Sequence, residues 1–288
     1  MKGIVVVNAF IKNKSQIMQA ERIVEELFLL GAECKIRKNI GLAEIKNGKT
    51  VAQNYDFCVF LDKDKSTARL LEKFGVKLFN SAEAIEVCDD KMLTHIALSD
   101  CGIAMPDCIN APLCYYEDAE ISEEFIGNIG DKLGYPLVAK KCYGSLGAGV
   151  FLIKNKAELI GFERLNKLTA HFYQKFIGSG GEDIRVIVIG GKYVCAMKRK
   201  NAVDFRSNIE LGGIGEKFVA DENLISLCEK VAGILKLDYC GIDVLTDNGG
   251  NRYICEVNSN AFFAEAERVC GINIAKKYAE FIIASKNA

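Results

Sequence analysis

The chain has 288 residues, 50% hydrophobic and 26% charged, the make-up of an ordinary globular protein long enough for about two domains. Its 37 Lys and Arg against 38 Asp and Glu leave a formal charge of −1, which excludes the strongly basic footprint of a nucleic-acid binder. Its 26 Gly and 3 Pro are too few for a collagen-like chain, and no apolar run nears the ~18 residues of a membrane span.

At the N-terminus the apolar run at positions 4–7 is too short for a signal peptide and reads as a first strand, so the expected compartment is the cytoplasm. Positions 15–30 carry apolar residues at helical spacing and end at Gly31. Strands are expected at 34–37, 56–61 and 76–79, and a helix at 66–74 stopped by Gly75. This alternation predicts a small parallel-sheet α/β unit over residues 1–88. No glycine fingerprint follows the first strand and no Walker A motif occurs anywhere, which argues against Rossmann dinucleotide chemistry and P-loop hydrolysis.

Helices are expected at 89–101 and 122–133, separated by the Met105-Pro106 turn. From Pro136 the pattern becomes strand-rich until two helices, at 262–270 and 274–285, close the chain. The predicted division is 1–88, an N-terminal α/β domain; 89–177, a central subdomain with a glycine-rich loop; and 178–288, a C-terminal subdomain with a metal site.

The twelve cysteines form no CxxC pair, and there are two histidines, His95 and His171. Zinc or iron–sulfur spacing needs clusters, so free buried thiols are expected, and both histidines are read as structural. With no GxSxG and no companions for a triad, a Ser or Cys nucleophile is not expected.

The most informative stretch is DYCGIDVLTDNGGNRYICEVNSNA, residues 238–261. Two strand-patterned runs flank Asn248-Gly249-Gly250-Asn251, a hairpin signal. With a four-residue loop, Asp243 lies opposite Glu256, and Asn258 shares Glu256's face. Facing like charges destabilise a sheet, and a divalent cation would convert that penalty into a site for Mg²⁺, with phosphate and water completing its shell. The alternative is a solvated sheet face.

In PLVAKKCYGSLGAGV, residues 136–150, Lys140 precedes Gly144, Gly147 and Gly149. Such a loop brings backbone N–H groups to phosphate; alone, it is equally a hairpin tip. Further on, Arg185, Arg199 and Arg206, three of nine arginines, fall within 22 positions, suited to gripping carboxylate or phosphate, or to ion pairs with Glu182, Asp183 and Asp204.

In order and spacing these elements resemble the ATP-grasp ligases, and within them the RimK-type branch, over residues 89–260. The likeness rests on Asp90-Lys91, PLVAK with GSLGAGV, Gln174-Lys-Phe-Ile177, Asp183-Ile-Arg185, DFRSN at 204–208 with Gly212-Gly213, GIDVL at 241–245 and EVNSN at 256–260. It implies an α/β and α+β fold: an ATP-grasp fold with an N-terminal Rossmann-like, pre-ATP-grasp domain, and ATP held between two subdomains.

By position, Lys91 and Lys140 look like phosphate-binding lysines, with Gly144, Gly147 and Gly149 in a lid. Gln174, Lys175, Phe176 and Ile177 look like the adenine-contacting linker, Asp183 like the ribose ligand, and Arg206, Ser207 and Asn208 like phosphate ligands. Asp243, Glu256 and Asn258 would hold Mg²⁺, or Mn²⁺ as a substitute ion. Arg206 and Arg185 would neutralise transition-state charge, and Arg199 and Asn260 would meet the substrate. Lys175 stands where the family usually has Glu.

The implied reaction converts a carboxylate into an acylphosphate with ATP, after which an amine displaces phosphate to form an amide. Substrates would be small-molecule or peptide carboxylates and amines, with glutamate the leading guess. No nucleic acid or membrane partner is expected, and a homo-oligomer is left open. The alternatives are an ATP-grasp ligase forming another bond or a peptide macrocycle, and a non-catalytic nucleotide-binding protein.

Overall fold

The computed structural model describes residues 1–178 and 180–285. The first unit comprises β1 (Lys2–Val7), α1 (Lys14–Leu29), β2 (Glu33–Lys38), the hairpin β3 (Ala43–Lys46) and β4 (Lys49–Ala52), β5 (Phe57–Phe60), α2 (Lys65–Phe74) and β6 (Lys77–Phe79). Its main sheet is parallel, in the order β2-β1-β5-β6. β1 and β5 are buried on both faces, which is why they read as unbroken apolar runs. Asn13 and Asp64 cap α1 and α2, and Gly75 ends α2 in the left-handed conformation.

Two short helices follow, α3 (Ala82–Asp89) and α4 (Lys91–Leu98). The helix expected over 89–101 is found as α4, and α3 before it was not expected; Asp90 separates the two. Its extended backbone ends α3, and its carboxylate caps α4 by accepting from the Met92 and Leu93 amides. This break turns Lys91 toward the glycine loop, where its amide donates to Cys142 O.

A second unit holds β7 (Cys108–Asn110), α5 (Glu123–Leu133), β8 (Leu137–Lys141), β9 (Val150–Ile153), α6 (Lys156–Asn166) and β10 (His171–Lys175). Its antiparallel sheet runs β7-β10-β8-β9, with α5 and α6 packed on one core. The third unit has β11 (Glu182–Ile189), β12 (Lys192–Lys200), β13 (Ile214–Phe218), α7 (Glu222–Ile234), β14 (Tyr239–Thr246), β15 (Arg252–Asn258), α8 (Ala264–Cys270) and α9 (Ile274–Ala284). Its sheet runs β13-β12-β11-β14-β15. Helices α6 and α7 interrupt the stretch expected to be continuously strand-rich.

The first and third units share one core. Val5, Val7, Phe57 and Val59 pack with Ile187, Met197 and Tyr239 around α1, α8 and α9. Asn80 joins them by polar contacts. Its side chain donates to Tyr239 O and Ser259 O, both at 2.8 Å, and accepts from the Asp238 and Tyr239 amides. All twelve cysteines are free, as expected. Among the described residues no helix is long and apolar enough to cross a membrane.

Candidate active site

Asp243 on β14 and Glu256 on β15 are cross-strand partners. The reason differs from the one read in the sequence. The connection has five residues, 247–251, because Thr246 pairs with Arg252. That extra residue shifts the register by one, and a bulge at Cys255 shifts it back. The pairing survives because the two irregularities cancel.

The repulsion between the two carboxylates is met first by the protein's own cations. Arg185 donates to both Asp243 oxygens at 2.7 Å from the neighbouring position on β11. Arg199 on β12 reaches Asp243 at 3.0 Å and grips both oxygens of its cross-strand partner Asp183. Burial pushes the Asp243 carboxyl up, but the two guanidiniums outweigh it and hold the group below its usual range. Glu256 lies 3.5 Å from Lys91 Nζ. Arg199, Asp183, Arg185 and Asp243 thus form a band of alternating charge that ends on Glu256, across four adjacent strands.

Arg199 is 1% exposed, ties Asp183 to Asp243 and lines the pocket between the second and third sheets. Asn260 lines the open cleft, donates to Leu61 O at 2.9 Å and accepts from Gln19, joining the third unit to the first. Asp183 faces the pocket with both oxygens already bonded to Arg199.

Two spaces meet at this band. One is a pocket between the second and third sheets, lined by Lys140, Gln174, Lys175, Phe176, Ile177, Asp183, Arg199, Arg206, Ser207, Asn208, Asp243 and Glu256 among others. The other is an open cleft of about 240 Å³ between the first unit, the glycine loop and β15, lined by Arg185, Asn258, Asn260, Ser145 and Asp62 among others. Asn208 and Glu256 line both spaces and mark the point where they join.

The glycine loop closes over this junction. Lys91 Nζ donates to Gly144 O at 2.7 Å, and Arg206 donates to Gly147 O at 2.9 Å. Gly147 has φ +76°, and a Cβ there would lie 2.9 Å from Leu211 and 3.1 Å from Asn208. That conformation and approach favour glycine. Lys140 is buried, with its ammonium 3.4 Å from Cys255 Sγ. Gly149 lies against Lys141.

On the linker, the Gln174 side chain turns away to donate to His95 Nε2 at 3.0 Å. Burial first, and then Lys140, pull the His95 pKa down to about 4, so its ring is a neutral acceptor. Lys175 points outward, 4.0 Å from Asp107. His171 lies in a separate buried network with Glu163 and Tyr173. Both histidines are structural in these contacts.

As metal donors, Asp243, Glu256 and Asn258 supply hard oxygens from adjacent strands, which fits Mg²⁺. Among the described residues no group of three His, Cys, Asp or Glu side chains is assembled for a metal. The set therefore has two carboxylates and an amide, and it suits an ion arriving with phosphate oxygens of its own.

Sequence reading did not find the bidentate Arg185–Asp243 pair or the carbonyl latches on Lys91 and Arg206. The first had a signal: Asp183 and Arg185 are two apart on one strand and share a face. The latches had none, since backbone carbonyls carry no residue identity.

The RimK-like ATP-grasp domain model matches residues 88–282. The chain is 30% identical over 286 residues to beta-citrylglutamate synthase B of Danio rerio, covering 93% of this chain and 69% of that one. It is 33% identical over 223 residues to human N-acetylaspartylglutamate synthase A, covering 76% of this chain and 56% of that longer protein. It is 31% identical over 223 residues to the glutamate–LysW ligase ArgX of Sulfurisphaera tokodaii, covering 75% and 76%. Among solved structures, the D-alanine–D-alanine ligase of Bacillus anthracis with ATP superposes at TM-score 0.75 and 24% identity, covering 99% and 96%. The ATP-grasp ligase PsnB with minimal precursor, Mg and ADP superposes at 0.71 and 16%, covering 99% and 98%. The fold is ATP-grasp, and the chain belongs to the RimK-like ATP-grasp family.

Proposed function

We propose that this RimK-like ATP-grasp protein is an ATP- and Mg²⁺-dependent ligase that activates a carboxylate as an acylphosphate and joins it to an amine, with glutamate as one substrate. The observation that carries the reading is the position of Glu256 and Asn208 at the mouth between the pocket and the cleft. A nucleotide in the pocket presents its terminal phosphate there, and a carboxylate in the cleft meets it. Glutamate enters from the names of the relatives, three of which carry it.

Carboxylates resist amines because attack would have to expel oxide, whereas an acylphosphate expels phosphate. Phosphoryl transfer depends on positioning and on neutralising charge. Lys91, Lys140 and Arg206 are the cations for the phosphates, with Ser207 and Asn208 as neutral ligands. Arg185 stands at the cleft wall, where negative charge builds on the transferred group. Mg²⁺ held by Asp243, Glu256 and Asn258, or Mn²⁺ in its place, would supply further charge neutralisation. Arg199 keeps Asp183 and Asp243 in place, and the glycine loop excludes water from the intermediate. The substrates are small-molecule or peptide carboxylates and amines, and the compartment is the cytoplasm.

The test is the Glu256→Gln variant, with ADP release measured against a panel of amino acids in the presence of Mg²⁺. Loss of ATP-dependent ligation with an unchanged melting temperature is expected. Full activity in that variant would remove the metal assignment.

A further inference from the structure

Every charged side chain lining the cleft but one is committed to a partner within the protein. Arg185 is held by Asp243, Glu256 faces Lys91, and Lys63 pairs with Asp89 at 2.7 Å. The Asp62 carboxylate accepts from the Asn8 and Asn39 amides and from the Lys63 backbone. The exception among the described residues is Glu210, which lines the same cleft with neither a hydrogen bond nor an ion pair.

Its placement is fixed by the backbone. Glu210 sits in the single 3₁₀ turn Ile209–Leu211, directly after the Arg206–Asn208 loop. Gly212 closes that turn at φ +90°. A Cβ on Gly213 would lie 2.3 Å from Ser207 O, so the turn is pinned against the phosphate loop. Leu211 packs toward Gly147 of the glycine loop. Glu210 is therefore carried at the cleft wall beside Asn208, where the acylphosphate would form.

Given the ligase reading above, on which this inference rests, we infer that Glu210 receives the amine substrate. An amine arrives in water as an ammonium ion, and the cleft offers one uncommitted charge, which is negative. The ammonium passes one proton to the Glu210 carboxylate and becomes a neutral amine. Its lone pair forms the C–N bond while the C–O bond to phosphate breaks. Phosphate leaves with that electron pair and takes the second proton from nitrogen, so amide and hydrogen phosphate are the products. Glu210 is thus both receptor and base, a task worth about 100-fold or more in rate when performed by a positioned side chain.

The test separates the two half-reactions. Wild type, Glu210→Gln and Glu210→Asp are given ATP, Mg²⁺ and the amino acid that best supports ADP release. Hydroxylamine, a neutral nucleophile near pH 8, is used in one arm, and a mixture of the twenty amino acids as amines in the other. Glu210→Gln is expected to form hydroxamate within about twofold of wild type, and to form amide about 100-fold more slowly with a raised KM for the amine. Glu210→Asp is expected to recover part of the amide activity. Equal amide formation by wild type and Glu210→Gln overturns the inference, as does equal loss of both products in that variant. No hydroxamate from the wild type overturns the ligase reading itself, and this inference with it.

Discussion

Asp243 and Glu256 face each other because a five-residue turn and a one-residue bulge at Cys255 compensate. Facing carboxylates are costly in a sheet, and this pair is tolerated because Arg185 and Arg199 hold Asp243 while Lys91 lies near Glu256. On the proposed function the cations that stabilise the ladder are also those set beside the reacting groups, so stability and activity are expected to be coupled at these positions.

Arg199→Met is the most damaging single change to that band. It leaves buried Asp183 without its guanidinium and Asp243 with one instead of two. Breaking a buried pair this way costs about 3–5 kcal/mol. Arg185→Met is expected to cost less, because Arg199 still holds Asp243, while abolishing turnover. Urea unfolding of the two variants gives the comparison, and an Arg199→Met protein within 1 kcal/mol of wild type, by the ~1 kcal/mol scale of ordinary substitutions, would contradict the account.

Asn80 is buried, with four hydrogen bonds joining the first unit to β14 and to Ser259 beside the cleft. Asn80→Leu strands those backbone groups, at about 1–3 kcal/mol for each one left unsatisfied. A fall in melting temperature together with loss of ligation is expected. A variant that melts normally would show that the units do not depend on this link.

Gly147→Ala tests the glycine loop. Its Cβ would lie 2.9 Å from the Leu211 side chain and 3.1 Å from that of Asn208, at a positive φ, so the strain falls on the contact between the loop and the 206–211 segment. The fold should persist, because the loop is peripheral to every core cluster. Ligation should fall at least tenfold, an estimate of about 1.4 kcal/mol in barrier, and wild-type kinetics in this variant would show that closure is not needed.

His95 makes stability depend on pH. Burial and Lys140 set its folded pKa near 4, whereas the unfolded chain takes up the proton near 6.5. The unfolded state thus binds the proton first, so the contribution is intact above pH 6.5 and is lost as pH falls toward 4. The loss is about 3 kcal/mol at the low end. Unfolding curves for wild type and His95→Gln between pH 7 and 4 should converge by that amount, and parallel curves would contradict it.

Much of this architecture was legible in the chain. Buried parallel strands show as apolar runs, and caps such as Asp64 and Gly75 mark helix ends. The site strands were found because EVNSN and GIDVL carry distinctive side chains. What escaped depended on long-range partners. Helix α3 before Asp90 was not read, so Asp90 passed for the start of one helix when it separates two, and the pairing of Arg199 with Asp183 appears only once their strands are paired. The correct Asp243–Glu256 pairing came from a turn length that was one residue short, offset by a bulge no local pattern announced.

The most direct measurement follows phosphorus. The protein is incubated with ATP, Mg²⁺, glutamate and the amino-acid panel, and the products are read by ³¹P NMR beside a mass-spectrometric count of amide. ADP and inorganic phosphate appearing in step with amide is the predicted result. AMP and pyrophosphate, or ADP formed with no carboxylate present, would contradict an acylphosphate ligase.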